Sequence, residues 1–359
     1  MKTITIHSLQ AILPMMLLSG ILLSAEPPGT NNALPPGAPG GPGRPGSPDA
    51  KGPPKIPAST TPPDATNVVY GSDTKFNVFD LWKAKSDKPT PLVIFIHGGG
   101  FGGGAKDQIL TQFPLDEMLK AGVSCASIDY RRLQSNPGPR QIIYPAMFLD
   151  CARAVQFLRS KAKEWNLDPT RFACSGGSAG AGMSLWIGFH KDLADPKSED
   201  PVARESTRLN CVAVFNAQTA CDPRWLKENL PGKAYMVPNI WQLVGIECPP
   251  WGSPVEKFDE MFKNLTPEKA KLMEDCSPIN HLTADAPPVF LHYLGQPLKP
   301  RRNESDDIHQ IGFGLRLKEK MDALKLECEI MGGWPQNPEC TGPDKSDLEF
   351  LLRHLGMKK

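Results

Sequence analysis

No charge of either sign dominates this chain. Its 40 Lys and Arg stand against 39 Asp and Glu, a net +1 over 359 residues. That balance removes the electrostatic case for nucleic acid or an anionic membrane surface as a partner. The local cluster Lys299-Pro300-Arg301-Arg302 reads as a solvated loop. None of the nine cysteines forms a C-x-x-C pair, so a zinc or dithiol redox site has no support. The glycines at 98–104 are followed by no Lys-Ser or Lys-Thr, which excludes a P-loop. A dinucleotide fingerprint also fits poorly: Asp129 ends the next strand, but Asp129-Tyr130-Arg131 is better read otherwise. There is no fixed-period repeat. Neither a cofactor nor a metal is expected.

What is present divides into three stretches. Residues 1–25 have the form of an export signal: Lys2, an apolar run over residues 11–23 that is too short to cross a bilayer, and Ser24-Ala25 for cleavage. Residues 26–66 carry much of the chain's Pro and Gly and almost no large apolar side chains. They read as a disordered or polyproline-II tether. Residues 67–359 suit one large α/β domain. The expected product is exported, with no stable membrane span after cleavage. An oxidising compartment allows disulfides. Cys211, Cys221, Cys248, Cys276, Cys328 and Cys340 are the bridge candidates, while Cys125, Cys151 and Cys174 lie in core-like contexts.

Periodicity predicts strands at residues 76–82, 92–96, 123–128, 171–174, 211–215, 289–293 and, last, 326–331. Helical spacing is predicted over residues 115–121, 146–162, 181–189, 314–324 and 345–355. Alternating strands and helices imply a mainly parallel sheet covered on both faces. Residues 217–280 break the rhythm with Trp225, Trp241, Trp251 and a helical-looking stretch at 254–275. They are expected to form a lid or cap.

Two motifs carry the chemistry. His97-Gly98-Gly99-Gly100-Phe101 follows a buried strand, and Gly176-Gly177-Ser178-Ala179-Gly180 lies between a strand and a helix. A G-x-S-x-G turn in that context is a nucleophile elbow: the crowded backbone admits only small residues beside the serine. Ser178 is the expected nucleophile. The N–H groups of Ala179, Gly99 and Gly100 are the expected oxyanion donors.

On these segments, together with Asp129-Tyr130-Arg131 and residues 144–159, the chain resembles the α/β-hydrolase esterase/lipase family, in its HGGG-bearing carboxylesterase branch. The resemblance runs from about residue 93 to 326 and fades toward the C-terminus. It implies an α/β-hydrolase fold, metal-free ester hydrolysis through an acyl-enzyme, and a structural role for Asp129 and Arg131 in the loop near the site. The family order places an acid after the next-to-last strand and a histidine after the last. Here the acids follow a longer loop, as Glu304, Asp306 and Asp307, with Asp306 nearest the family position. The last strand leads into Gly332-Gly333-Trp334-Pro335, with no histidine. His309 is the expected base, with His354, His281 and His292 as alternatives. His97 is read as supporting the oxyanion loop.

Two readings therefore stand. One is an exported serine hydrolase acting on a small-molecule or polysaccharide-linked ester. The other is a catalytically impaired hydrolase-fold protein that binds an acyl or glycan ligand. The separation of Ser178 Oγ from the nearest imidazole nitrogen distinguishes them.

Overall fold

The fold is built on continuous apolar runs that can only be buried on both faces. A computed structural model describes residues 57–133, 143–250, 252–299, 308–333 and 338–357. All of them belong to one unit, Gly52–Lys359. Its nine strands are β1 (Ala65–Val69), β2 (Val78–Trp82), β3 (Thr90–Ile96), β4 (Ser124–Ile128), β5 (Leu167–Gly177), β6 (Cys211–Phe215), β7 (Val289–His292), β8 (Cys328–Gly332) and β9 (Glu339–Cys340). They form one sheet in the order β1-β2-β4-β3-β5-β6-β7-β8-β9. The pairs from β4 through β8 are parallel; β1 and β2 at one edge and β9 at the other run antiparallel. Every residue of β3 and β4 is buried, as strands covered on both faces must be.

The α-helices are α1 (Ile109–Gln112), α2 (Leu115–Lys120), α3 (Ala146–Ser160), α4 (Ala179–Phe189), α5 (Pro223–Asn229), α6 (Pro238–Gln242), α7 (Val255–Lys263), α8 (Pro267–Asp275), α9 (Gly312–Ala323) and α10 (Asp347–His354). Side chains of α3, α4 and α9 pack with Ile94, Ile96, Val212 and Leu291 in the larger core. Those of α2 and α10 pack with Val93, Phe95 and Phe290 on the other face. Helix α4 is buried along its whole length. Gly180 makes this possible, because a Cβ there would lie 2.6 Å from the His97 carbonyl oxygen.

The structure moves several expected boundaries. The tether does not reach residue 66: Ser59 and Thr61 both donate to Asp116 Oδ1, at 2.8 and 2.7 Å, and Ala65 opens β1. The strand expected at 171–174 runs to Gly177, so its glycines end β5 and the turn falls on Ser178 itself. The strand expected last is followed by β9. The helix expected over 254–275 is two helices; Thr266 caps α8 through Lys269 N–H at 3.3 Å, and Pro267 occupies its first position. All nine cysteines are free thiols. The six bridge candidates are not paired: Cys211 and Cys328 are core residues of central strands, and burial pushes both thiols up. The export signal and most of the tether lie outside the described residues. Among the described residues no helix is long and apolar enough to cross a membrane.

Candidate active site

Ser178 sits at the junction of β5 and α4 with φ 52° and ψ −120°. A non-glycine residue there is strained by roughly 1–3 kcal/mol, and such strain persists only where the surroundings over-determine it. Here the determinants are visible. The Ser178 N–H donates to the Phe215 carbonyl at 3.0 Å, and its own carbonyl accepts from Gly182 N–H at 3.0 Å. This holds Oγ clear of the helix.

The HGGG segment lies against this elbow. A Cβ on Gly98 would fall 2.9 Å from the Gly177 carbonyl oxygen and 3.4 Å from Ser178 Cβ. Gly99 and Gly100 then take φ of 121° and 59°, which glycine adopts without penalty. The loop is held from below. Gly98 N–H donates to Gln108 Oε1 at 3.2 Å, and Tyr130 Oη donates to the His97 carbonyl at 2.9 Å. The fully buried His97 ring stacks on Tyr130 and its Nδ1 donates to the Gly98 carbonyl at 2.8 Å. His97 Nε2 is 3.3 Å from Asp129 Oδ1, outside hydrogen-bond geometry. Asp129 also accepts from Lys106 N–H at 2.9 Å, and Arg131 grips Asp150 with Nε at 2.8 Å and Nη2 at 2.7 Å. These bonds brace the loop.

The structure brings His309 to the serine. Its Nε2 is 2.8 Å from Ser178 Oγ. His309 lies between β7 and α9, not after the last strand of the parallel run. Of the other candidate histidines, His354 on α10 is 3.3 Å from Glu327, and His281 donates to the Asp275 carbonyl at 2.5 Å. Asp306, with Glu304 and Asp307, lies outside the described residues, as does Trp334. Among the described residues no group of three or more His, Cys, Asp or Glu could hold a metal.

His292 ends β7, and burial pulls its imidazole down to about 4. The folded protein therefore binds this proton less readily than the unfolded chain, whose histidines titrate near 6.5. The stability from keeping His292 neutral is complete above about pH 6.5 and is lost as pH falls through about 4. The gap limits the loss to about 3 kcal/mol. Thermal melts from pH 7 to 4 should fall less steeply in His292→Leu than in the parent; equal slopes would refute this.

Residues that hold the site but carried no sequence signal also emerge. Asn239 on α6, within the 217–280 insertion, donates to the Gly100 carbonyl. Gln218 donates to the Ile308 carbonyl at 3.0 Å, beside His309. Neither belongs to a motif. Only the fold places them here.

Comparison with known proteins agrees with this architecture. The family model BD-FAE matches residues 79–295, well over half of the chain. The chain belongs to this BD-FAE family, which is an α/β-hydrolase esterase family. Esterase LipC of Mycobacterium tuberculosis is 25% identical over 226 residues, covering 62% of this chain and 49% of LipC. The chain spans about half the length of the curated relatives it matches. Among solved structures it is similar to a truncated carbohydrate esterase from gut microbiota, with TM-score 0.54, 20% identity and coverage of 79% of this chain and 90% of that one. It is also similar to Thermogutta terrifontis esterase 2 phosphonylated by sarin, with TM-score 0.52, 18% identity and coverage of 75% and 83%. At these identities the shared property is the fold. The family match ends at residue 295, before His309.

Proposed function

We propose that the protein is an exported serine hydrolase that cleaves carboxylic esters through an acyl-enzyme on Ser178. The observation that carries this reading is the 2.8 Å separation of Ser178 Oγ and His309 Nε2. A serine hydroxyl is a weak nucleophile until a neighbouring base removes its proton, and this separation is within direct transfer distance. It also favours an enzyme over a ligand-binding protein that has lost its base.

In this mechanism His309 Nε2 takes the Oγ proton as Oγ attacks the ester carbonyl. The carbonyl oxygen becomes an oxyanion held by the N–H groups of Gly99, Gly100 and Ala179. Each such donor contributes about 3 kcal/mol to the transition state. His309 then protonates the departing alcohol, and water activated by the same imidazole releases the acid. Asp306 is the proposed partner that orients His309, on its sequence position near the family's acid. The reaction uses no metal or cofactor.

The substrate is a small-molecule or polysaccharide-linked ester. Residues 217–280 act as its lid, with Asn239 reaching the Gly100 carbonyl from α6. The export signal at residues 1–25 would deliver the enzyme to where such esters are met outside the cell interior.

The test is turnover of p-nitrophenyl acetate, set beside acetylated and feruloylated saccharides. Hydrolysis of none of them would remove the proposal. Asp306→Asn is expected to lower kcat roughly 10²–10⁴-fold, because an imidazole without its orienting acid holds the wrong tautomer. Glu304→Gln and Asp307→Asn should stay within about twofold of the parent. A loss at Asp307 in place of Asp306 would reassign the acid.

A further inference from the structure

His309 is carried neither by a strand nor by a helix. It stands in the connection from β7 to α9, three residues before the helix begins. Direct proton transfer to it requires Nε2 to be held to within a fraction of an ångström of its working position. The backbone beside it must therefore be fixed by something other than secondary structure.

Among the described residues two buried side chains tie this stretch down: Gln310 donates Nε2 to the Pro231 carbonyl at 2.9 Å, and Gln218 bonds to the residue on the other side of His309. Gln218 is 2% exposed, and its Nε2 donates to two carbonyls. One is that of Ile308, the residue before His309, at 3.0 Å. The other is that of Asn216, at 3.1 Å. Asn216 is itself anchored to the sheet: its N–H donates to the His292 carbonyl at 2.8 Å, and its Oδ1 accepts from Leu294 N–H at 3.1 Å. Phe215, one residue earlier, gives its carbonyl to the Ser178 N–H. Residues 215–218 thus bond to the backbone of Ser178 on one side and, through Gln218, to the carbonyl of the residue preceding His309 on the other.

We propose that Gln218 is a positioning residue for the base: its amide, bridging the Asn216 and Ile308 carbonyls, sets the distance between His309 and Ser178. This rests on the reading of Ser178 and His309 as nucleophile and base. A primary amide suits the task because one nitrogen offers two donors to two carbonyls. A carboxylate of the same shape would accept where donation is needed. A thioether of similar size would fill the space and donate nothing.

The experiment compares the parent with Gln218→Met and Gln218→Glu, using a fluorophosphonate probe and p-nitrophenyl acetate. Two quantities are read separately: the fraction of protein finally phosphonylated and the rate constant for reaching it. Positioning predicts that the rate constant and kcat fall together by roughly 10–100-fold, as an ångström-scale displacement of a reacting group does. KM should stay within about twofold, since the amide does not contact substrate. The larger fall is expected in Gln218→Glu. A residue that only supports folding would lower the final labelled fraction and leave the rate constant of the folded remainder unchanged. That result, or parent-like values in both variants, would overturn the proposal. Because the rate constant is read on whatever fraction folds, a destabilised variant still decides the question. If the parent itself takes no label, the esterase reading fails first, and the two failures remain distinct.

Discussion

Ser178→Ala is expected to lower kcat for p-nitrophenyl acetate by roughly 10⁴–10⁶-fold and to leave the protein folded. Only the hydroxyl oxygen is removed. The Cβ stays, and so do the strained φ and the backbone bonds to Phe215 and Gly182, so melting should change little. Activity above the uncatalysed rate should survive at about 10³–10⁴-fold, because the oxyanion donors and the binding site remain. KM should move little, since the lost interaction is made in the transition state. Steady-state kinetics with a melt at the same pH checks all three. Parent-like kcat in a folded Ser178→Ala protein would mean that the elbow serine is not the nucleophile.

The second large effect is at His309. His309→Gln keeps a polar side chain of similar reach but removes the titrating nitrogen that faces Ser178 Oγ at 2.8 Å. A loss comparable to that of Ser178→Ala is expected, roughly 10⁴–10⁶-fold in kcat, because nucleophile and base act as one unit. For the same reason the double variant should be no worse than either single one. His354→Gln and His281→Gln should retain activity within about twofold, since their partners are Glu327 and the Asp275 carbonyl. A strong loss in either of these, with His309→Gln near normal, would relocate the base.

How far the sequence alone reached differs from element to element. The strands β3 and β6 were legible because both faces are buried and the apolar runs are unbroken. The elbow was legible because its crowding admits glycine and alanine at fixed positions around Ser178, a constraint written directly in the chain. The residues just ahead of β1 were not, because Ser59 and Thr61 are tied down by polar side chains meeting Asp116, and hydropathy does not register such bonds. The helix break at Asn264–Thr266 was carried by a cap and a proline inside a pattern that otherwise continues. The cysteines misled because pairing depends on distances between elements, which spacing along the chain does not contain.

The site divides in the same way. Its first half, HGGGF and GGSAG, is local: each motif shapes its own turn. Its second half is not. His309 does not follow the last parallel strand, and nothing in the residues around it marks it as a base. Among the described residues its neighbours are tied to distant segments, Ile308 through Gln218 and Gln310 through the Pro231 carbonyl. Gln218 has no motif because a buried amide bridging two carbonyls constrains only the fold around it. The trade is physical. A side chain on a connection has no regular ladder of backbone bonds to hold it, and the long-range hydrogen bonds that tie its neighbours leave little trace in the linear chain.

The central claim is that Ser178 and His309 form one reactive pair. Fluorophosphonate labelling followed by peptide mass spectrometry tests it most directly. The account predicts one phosphonyl group per chain, on the peptide that contains Ser178, with no label in Ser178→Ala and labelling slowed at least about 10³-fold in folded His309→Gln. Labelling of a different residue, absence of label on the parent protein, or an unchanged rate in His309→Gln would contradict it.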